Sequence, residues 1–315
     1  MALLTPFRKT ALLSLAAAAL LFSGCGDSGN DNTGEKAPQL SPVTIQFEAV
    51  VGSEPLACSD ENNVSRTYAS IGTSAETISI KDFRFFVSEI EMVATDGTKV
   101  PLILEENSYQ HQDAGGIHVA LLDFEDNTGG CVDRGNSPAT YTTVVGKVPA
   151  GEYTGLQFTV GVPFELNHIE FPDIQVLNHT SMAWKWAAGR KFTKLEAQSE
   201  SNTSLVWNFH LGSTGCVDTD SDGITNECAQ PNRVTIAYGH FDPATETVKI
   251  DYKALLSDND LAQDLGSAKG CMSGLSDPEC EGIMGRLGID VTAADGVSNY
   301  DMHNEPKVFY KGTRN

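Results

Sequence analysis

The side chains with the most distinctive chemistry lie near the middle of the chain, in residues 179–192, HTSMAWKWAAGRKF. Met182, Trp184 and Trp186 are spaced two residues apart, so an extended strand would place one thioether and two indoles on the same face. His179 precedes them. Because large aromatic side chains most often serve as buried core, the simplest interpretation is a β-strand with two core tryptophans. The alternative is a metal site.

Histidines on either side of this segment could take part in such a site. His168 precedes it, and His210 follows it in the strand-like stretch 204–211, SLVWNFHL, where it faces away from the aromatic row. The chain has no H-E-x-x-H or C-x-x-C zinc signature and no G-x-S-x-G, P-loop or dinucleotide motif. A single histidine on a strand is more often a hydrogen-bonded surface or core residue. These histidines are therefore candidates by position alone.

A second pattern suits a hard cation. Three aspartates alternate before a glycine in the pattern D-x-D-x-D-G: Asp218, Asp220, Asp222 and Gly223. Carboxylates at this spacing converge on one Ca²⁺ in the first half of an EF-hand loop. Ala229 stands where an EF-hand has its bidentate glutamate, so the pattern is incomplete, although Asn226 or Glu227 could add an oxygen. A calcium site and a solvated acidic loop are both consistent with these residues.

The seven cysteines of the chain predict disulfides. Cys25 belongs to the N-terminal segment, and the other six could pair in 15 ways in an oxidising compartment. Two of the pairs are local in sequence, because one brackets the acidic loop and the other joins cysteines nine residues apart. The favoured pairs are therefore Cys216–Cys228 and Cys271–Cys280, which leave Cys58–Cys131.

The N-terminus resembles an export signal. Two basic residues precede an apolar run, residues 11–22 (ALLSLAAAALLF), which is too short to span a bilayer comfortably. Small residues then precede Cys25 as in a bacterial lipobox, where the cysteine carries the lipid; a plain secretory signal is the alternative. We expect a signal peptide in residues 1–24, a flexible tether in 25–42, and a lipoprotein in the periplasm or at the outer membrane.

Stretches that alternate apolar and polar residues predict the elements that position these groups. Clear examples are 43–51 (VTIQFEAVV), 156–162 (LQFTVGV) and 234–238 (VTIAY), and about nine or ten such strands between turns are typical of an antiparallel β-sandwich. We therefore predict an all-β fold, with the sandwich over 43–255. A disulfide-stapled C-terminal extension, 256–315, would pack on the same domain. The net charge of −21 argues against nucleic acid as a partner.

The central segment also resembles a known family. It contains the pattern Met182-x-Trp184-x-Trp186-x-x-Gly189-x-Lys191-Phe192-x-Lys194-x-Glu196. This pattern is similar to the central motif of MbnP-type copper-binding proteins, which are four-cysteine members of metallo-mystery pairs. Further matches run in the family's order over most of residues 43–290. They are FRFFVS at 83–88, GVP at 161–163, NH at 167–168, FHLG at 209–212 before Cys216, and CMSG at 271–274 before Cys280.

The resemblance implies a periplasmic copper-binding protein that stores, takes up or transfers copper and is not itself an enzyme. It also implies a partner, a di-haem protein of the cytochrome c peroxidase/MauG type, that oxidises Trp184 or Trp186 to kynurenine. The aryl amine freed by ring opening would bind copper together with imidazoles, which suit this metal. The implied ligands are His168 and His210, with His179 and Met182 as further candidates. The rival hypothesis is a calcium-stabilised surface lipoprotein that binds a carbohydrate or a protein through its tryptophans.

Overall fold

The alternating stretches form the strands that the sequence predicts. The computed structural model describes residues 38–132, 139–168, 174–185, 188–221, 225–291, 298–299 and 307–314. Strand β1 spans Leu40–Val51, and its residues Ile45, Phe47 and Ala49 are buried while the intervening side chains are half-buried. The predicted signal peptide, the lipobox Cys25 and most of the predicted tether lie outside the described residues.

The remaining elements are mostly short. The further strands are β2 (Glu54–Pro55), β3 (Thr67–Ile71), β4 (Glu76–Ala94), β5 (Lys99–Pro101), β6 (Ile103–Leu104), β7 (Gln110–Gln112), β8 (His118–Asp123), β9 (Thr143–Pro149), β10 (Tyr153–Val160), β11 (Ala183–Lys185), β12 (Gly189–Arg190), β13 (Thr193–Ser199), β14 (Trp207–Leu211), β15 (Thr214–Val217), β16 (Glu227–Gln230), β17 (Val234–Tyr238), β18 (Glu246–Asp251), β19 (Gly270–Cys271), β20 (Ser298–Asn299) and β21 (Phe309–Thr313). The α-helices are α1 (Phe164–Asn167), α2 (Tyr252–Leu255) and α3 (Cys280–Arg286), and 3-10 turns span Gly129–Cys131, Gln175–Leu177 and Thr180–Met182.

Two large sheets pack face to face in the described part of the chain. The smaller sheet has the order β21-β18-β1-β9-β6, with β2 beside β1, and the larger has the order β19-β14-β13-β4-β10-β17-β20. Strand β4 also pairs with β3, β5 and β8, and β7 pairs with β8. The ring centroids of Phe47 and Phe158 lie 5.5 Å apart, and those of Phe85 and Phe309 lie 6.2 Å apart, so aromatic contacts join the two inner faces. The predicted all-β sandwich is confirmed.

The C-terminal segments add strands to both sheets. β19 lies parallel to β14, and β21 lies antiparallel to β18. The described strand pairs are antiparallel except β1–β18, β14–β19 and β17–β20. The disulfides are Cys58–Cys131, Cys216–Cys228 and Cys271–Cys280, the three pairs that the sequence favours. Among the described residues, no helix is long and apolar enough to cross a membrane.

The structure corrects the prediction of one continuous strand through Met182, Trp184 and Trp186. Met182 ends a 3-10 turn, which its backbone N–H closes on the carbonyl of His179 at 2.8 Å. The strand begins only at the next residue and pairs with β12, whose Gly189 has a φ of +79° that favours glycine. Met182 is therefore a fully buried turn residue, and Trp186 lies outside the described residues.

The larger sheet carries a row of polar side chains on its outer face. Asp123, Arg84, Lys194 and His210 are cross-strand neighbours on β8, β4, β13 and β14. All four are buried. The flanking residues of β4 and β14 point the other way, into the sandwich core. In the described part of the chain between α1 and β13, the turn Gln175–Leu177 packs on β7 and β8, at the end of the row that carries Asp123.

Candidate metal centre

His210 is a buried histidine whose two ring nitrogens differ in their contacts. It lies on β14 and is buried, with Nε2 3.0 Å from Oε1 of Glu196 on the neighbouring strand β13. Its Nδ1 is also buried and makes no hydrogen bond within the described part of the chain. Burial lowers the pKa of His210, and the hydrogen bond to Glu196 offsets only part of this effect. The ring is therefore neutral at pH 7, with Nε2–H donating to Glu196 and a lone pair on Nδ1.

A chain of buried ion pairs holds the Glu196 carboxylate in place. Lys194 Nζ lies 3.4 Å from Glu196 Oε1 and 2.6 Å from Oδ2 of Asp82. Arg84 Nε donates to the other oxygen of Asp82 at 2.9 Å. Buried charges are costly to desolvate, and each must be paired and hydrogen-bonded to be tolerated. The network therefore fixes the acceptor that orients the imidazole of His210.

The indole of Trp184 lies against Gly212, two residues after His210. Trp184 is half-buried on β11, and a Cβ added to Gly212 would come within 2.6 Å of its ring carbon Cη2. Only glycine at this position admits the ring. The fold thus brings one of the two candidate tryptophans to the end of the strand that carries one of the candidate histidines.

His168 lies in a different environment, at the disulfide of the β15–β16 hairpin. It caps α1 and is 2% exposed, with Nε2 3.0 Å from Nδ2 of Asn167 and 3.2 Å from Sγ of Cys228. The Asn167 carboxamide also accepts the backbone N–H of Arg190 at 2.7 Å, which fastens α1 to β12. The donor atoms of His168, Cys216 and Cys228 all lie within 4.8 Å of one another, and both sulfurs belong to the disulfide.

His179 and Met182 lie between α1 and β13 in the chain. The ring centroid of His179 is 5.6 Å from that of Tyr109, which in turn stacks on Tyr141 at 4.5 Å. Burial, and then the positive charge of Arg84, lower the pKa of His179. In the described residues, His168, His179 and His210 therefore occupy three separate environments.

Comparison with known proteins identifies this architecture. The MbnP family model matches residues 40–273. The chain belongs to the MbnP family. Its structure is also similar to that of MbnP from Methylosinus trichosporium, with a TM-score of 0.71 and 29% sequence identity over 87% of this chain and 99% of that chain. No curated protein matches the chain. The family resemblance seen in the sequence is confirmed.

The acidic loop of this MbnP-family protein is only partly described. Asp222 lies outside the described residues, and Asp218 and Asp220 follow β15 on the hairpin closed by Cys216–Cys228. Asn226 donates from Nδ2 to Asp220 Oδ1 at 3.0 Å, and its carbonyl oxygen accepts the backbone N–H of Thr219 at 3.0 Å. The Asn226 carboxamide, which could have supplied an oxygen to a cation, thus closes the loop internally.

The sequence alone does not predict a site from the residues around His210. Glu196 and Lys194 belong to the family motif, but no sequence pattern marks them, Asp82 or Arg84 as supports of a site. On a strand, charged residues that alternate with apolar ones indicate a solvent-exposed face. The signal that could have found them is the stretch DFRFF at 82–86 opposite TKLE at 193–196, since acidic and basic residues then face each other across two strands.

Proposed function

We propose that this protein of the MbnP family is exported and binds one copper ion at a site formed by His210 and Trp184, for storage, uptake or transfer. In this proposal it is not itself an enzyme. The observation that carries the proposal is the imidazole of His210. It is neutral, its Nε2 is held by Glu196, and its Nδ1 is buried without a hydrogen bond in the described chain. The glycine that admits the Trp184 ring follows His210 by two residues.

The donor chemistry fits copper. Imidazole binds copper well. Histidine ligands usually donate their second N–H to a carboxylate, which fixes the ring and raises its basicity; Glu196 is such a partner for His210. The intact indole N–H of Trp184 is a hydrogen-bond donor and a poor ligand. Trp184 would therefore contribute only after conversion to kynurenine by a di-haem partner of the cytochrome c peroxidase/MauG type, since ring opening frees an aryl amine.

A second imidazole would come from His168 or His179. His168 directly follows α1, which Asn167 fastens to β12, and β12 pairs with the strand that carries Trp184. His179 precedes the same strand by four residues. Met182 is buried in the turn between His179 and β11 and is the remaining soft donor.

The test compares protein made with and without the haem partner by intact mass, peptide mapping and competitive Cu(I) titration. We expect the partner to add the mass change of kynurenine formation at Trp184 and to increase Cu(I) affinity. Trp184→Phe should reduce the affinity of partner-treated protein to the untreated level. His210→Ala should weaken both forms, because it removes a direct ligand. Trp186→Phe is the matched control, since it leaves Trp184 in place.

Equal Cu(I) affinity in wild type and all three variants would overturn the proposal. Modification at Trp186 would instead keep the copper function and move the site. His168→Gln and His179→Gln identify the second imidazole by which of them lowers Cu(I) affinity. His111→Gln is the control, because His111, on β7, pairs with the exposed Glu106 at 2.7 Å.

Export and anchoring form a separate part of the proposal. A lipid on Cys25 would tether the domain to a membrane of the periplasm through residues 25–42. Labelling with a fatty-acid analogue should modify the wild-type protein and not Cys25→Ala. We expect Cys25→Ala to lose the label and still be secreted. A wild-type protein that takes up no label would favour the plain secretory signal. Binding of glycans in place of copper would support the rival lipoprotein function.

A further inference from the structure

The Cys216–Cys228 disulfide differs from the other two disulfides in its surroundings. The other four cysteines are at most 1% exposed. Cys216 and Cys228 are half-buried and face each other across the β15–β16 hairpin, where the neighbouring residues Gly215, Val217 and Ala229 are exposed. Access controls the rate of thiol–disulfide exchange. A reductant can therefore reach this bond while the other two remain protected.

Beneath the same disulfide lies a buried imidazole. His168 Nε2 is 3.2 Å from Cys228 Sγ, and the donor atoms of His168, Cys216 and Cys228 lie within 4.8 Å of one another. Nδ2 of Asn167 lies 3.0 Å from the same Nε2, and the Asn167 carboxamide is held by the backbone N–H of Arg190. The imidazole nitrogen is thus already within reach of both sulfurs and needs little rearrangement to bind a metal with them, and its contact with Asn167 is exchanged for the metal.

We propose that reduction of Cys216–Cys228 opens a second metal site, in which two thiolates and His168 bind one Cu(I). Thiolate is the softest ligand that a protein offers and selects Cu(I) among biological copper states. The disulfide form lacks thiolates and is the closed state of the site. The site uses neither His210 nor Trp184 and requires no kynurenine, although His168 is also a candidate for the second imidazole of the proposed function. The variant His210→Ala therefore distinguishes the two sites.

The gating step is a thiol–disulfide exchange with a dithiol reductant. The dithiol supplies two electrons: the Cys216–Cys228 bond breaks, a disulfide forms in the reductant, and the two protons of the dithiol pass to the cysteine sulfurs. Binding of Cu(I) then releases these two protons, since thiolate and not thiol is the ligand. In an oxidising compartment the site stays closed until a dithiol donor reaches the hairpin.

The first measurement is selective reduction. Full-length protein is titrated with a water-soluble phosphine, alkylated, and mapped by mass spectrometry. We expect alkylation of Cys216 and Cys228 at reductant levels that leave Cys58–Cys131 and Cys271–Cys280 intact. If all three disulfides opened over the same range of reductant, the proposed gate would be wrong.

The second measurement is competitive Cu(I) titration of the selectively reduced protein, made without the haem partner. Reduction should add one equivalent of tightly bound Cu(I), with a thiolate-to-copper absorption band and sulfur scattering in X-ray absorption. A Cys216→Ser/Cys228→Ser variant should lack this equivalent, and oxidised wild type provides the same comparison without any mutation. His168→Gln should keep the sulfur signature and lose affinity by about 10- to 100-fold or more, at least the cost typical of an outer-shell partner. His111→Gln is the matched histidine control.

The variant His210→Ala separates the two sites. It should retain the reduction-dependent equivalent, and loss of that equivalent in His210→Ala would assign the copper to the site of the proposed function. Reduced wild type that binds no additional Cu(I), or His168→Gln with unchanged affinity, would overturn the Cys216–Cys228–His168 site. None of these outcomes alters the partner-dependent test of Trp184.

Discussion

The two faces of the larger sheet are both buried, but they are buried in different ways. On the inner face, Phe85 and its neighbours pack against aromatic rings of the smaller sheet. On the outer face, the same strands carry the buried side chains of Arg84, Lys194 and His210. The inner face is stabilised by the removal of its apolar side chains from water. The second face retains charges that burial makes costly, and such groups cluster at functional sites. We therefore propose that the outer face, and not the inner one, supports binding.

The largest expected effect tests whether the outer face depends on its ion pairs. Asp82→Asn leaves Arg84 and Lys194 buried without their shared carboxylate, and breaking a buried pair costs about 3–5 kcal/mol. Chemical denaturation should show a loss of this size in the free energy of unfolding. The control is Glu54→Gln, which breaks the exposed Arg66–Glu54 pair and should cost no more than about 1 kcal/mol. Equal effects of the two changes would show that the outer face behaves as ordinary surface.

The next effect is a pH dependence caused by Asp123. Burial raises the pKa of Asp123 to about 8, an effect that Arg84 only partly offsets, against an unfolded value of about 3.9. Because the pKa of Asp123 is higher in the folded state, the contribution of Asp123 to the free energy of unfolding is complete below pH ~4. This contribution is lost as the pH rises through about 8. Stability should therefore fall over this window, on the order of a few kcal/mol.

Asp123→Asn should flatten this dependence, because the amide cannot ionise. Denaturation curves at intervals from pH 4 to pH 9 provide the measurement. The variant should match wild type near pH 4 and exceed its stability near pH 9. A wild type whose stability rose over the same window would contradict a neutral, buried Asp123.

A smaller effect tests the support of His210 by Glu196. Glu196→Ala removes the acceptor of Nε2–H, and loss of such an outer-shell partner typically lowers metal affinity about 10- to 100-fold. Glu196→Gln keeps an acceptor oxygen and should recover part of the affinity. Glu196→Ala should also alter the EPR spectrum of the Cu(II)-loaded protein, because the imidazole of His210 is then free to rotate. Unchanged affinity and spectrum in Glu196→Ala would leave the carboxylate with a purely structural role.

The two faces were not equally predictable from sequence. Alternation located the strands, since a side chain's burial repeats every two residues, and strand β17 falls where 234–238 was predicted. Local spacing favoured two of the disulfides. The outer face could not be predicted, because part of its cover, the turn Gln175–Leu177, comes from the chain between α1 and β13 and not from its own strands. The contact of Trp184 with Gly212 and the turn that contains Met182 likewise depend on tertiary packing, which period-2 patterns do not encode.

The smallest expected effect concerns the acidic loop of the β15–β16 hairpin, which belongs to neither face of the larger sheet. We predict that Asp218, Asp220 and Asp222 bind Ca²⁺ for structure, because carboxylate oxygens suit a hard cation and compete poorly for Cu(I). Ca²⁺ at ten times its dissociation constant would raise the free energy of unfolding by only about 1.4 kcal/mol, and EDTA should remove this gain. Asp220→Asn should abolish the response of the melting temperature to Ca²⁺, whereas Asp242→Asn, in the exposed turn after β17, should preserve it. Since Asn226 already occupies Oδ1 of Asp220, Ca²⁺ must displace this hydrogen bond, which raises the dissociation constant of Ca²⁺. A melting temperature that neither EDTA nor Ca²⁺ changes would identify the loop as a solvated acidic turn, and His210 would then remain the proposed metal ligand on separate grounds.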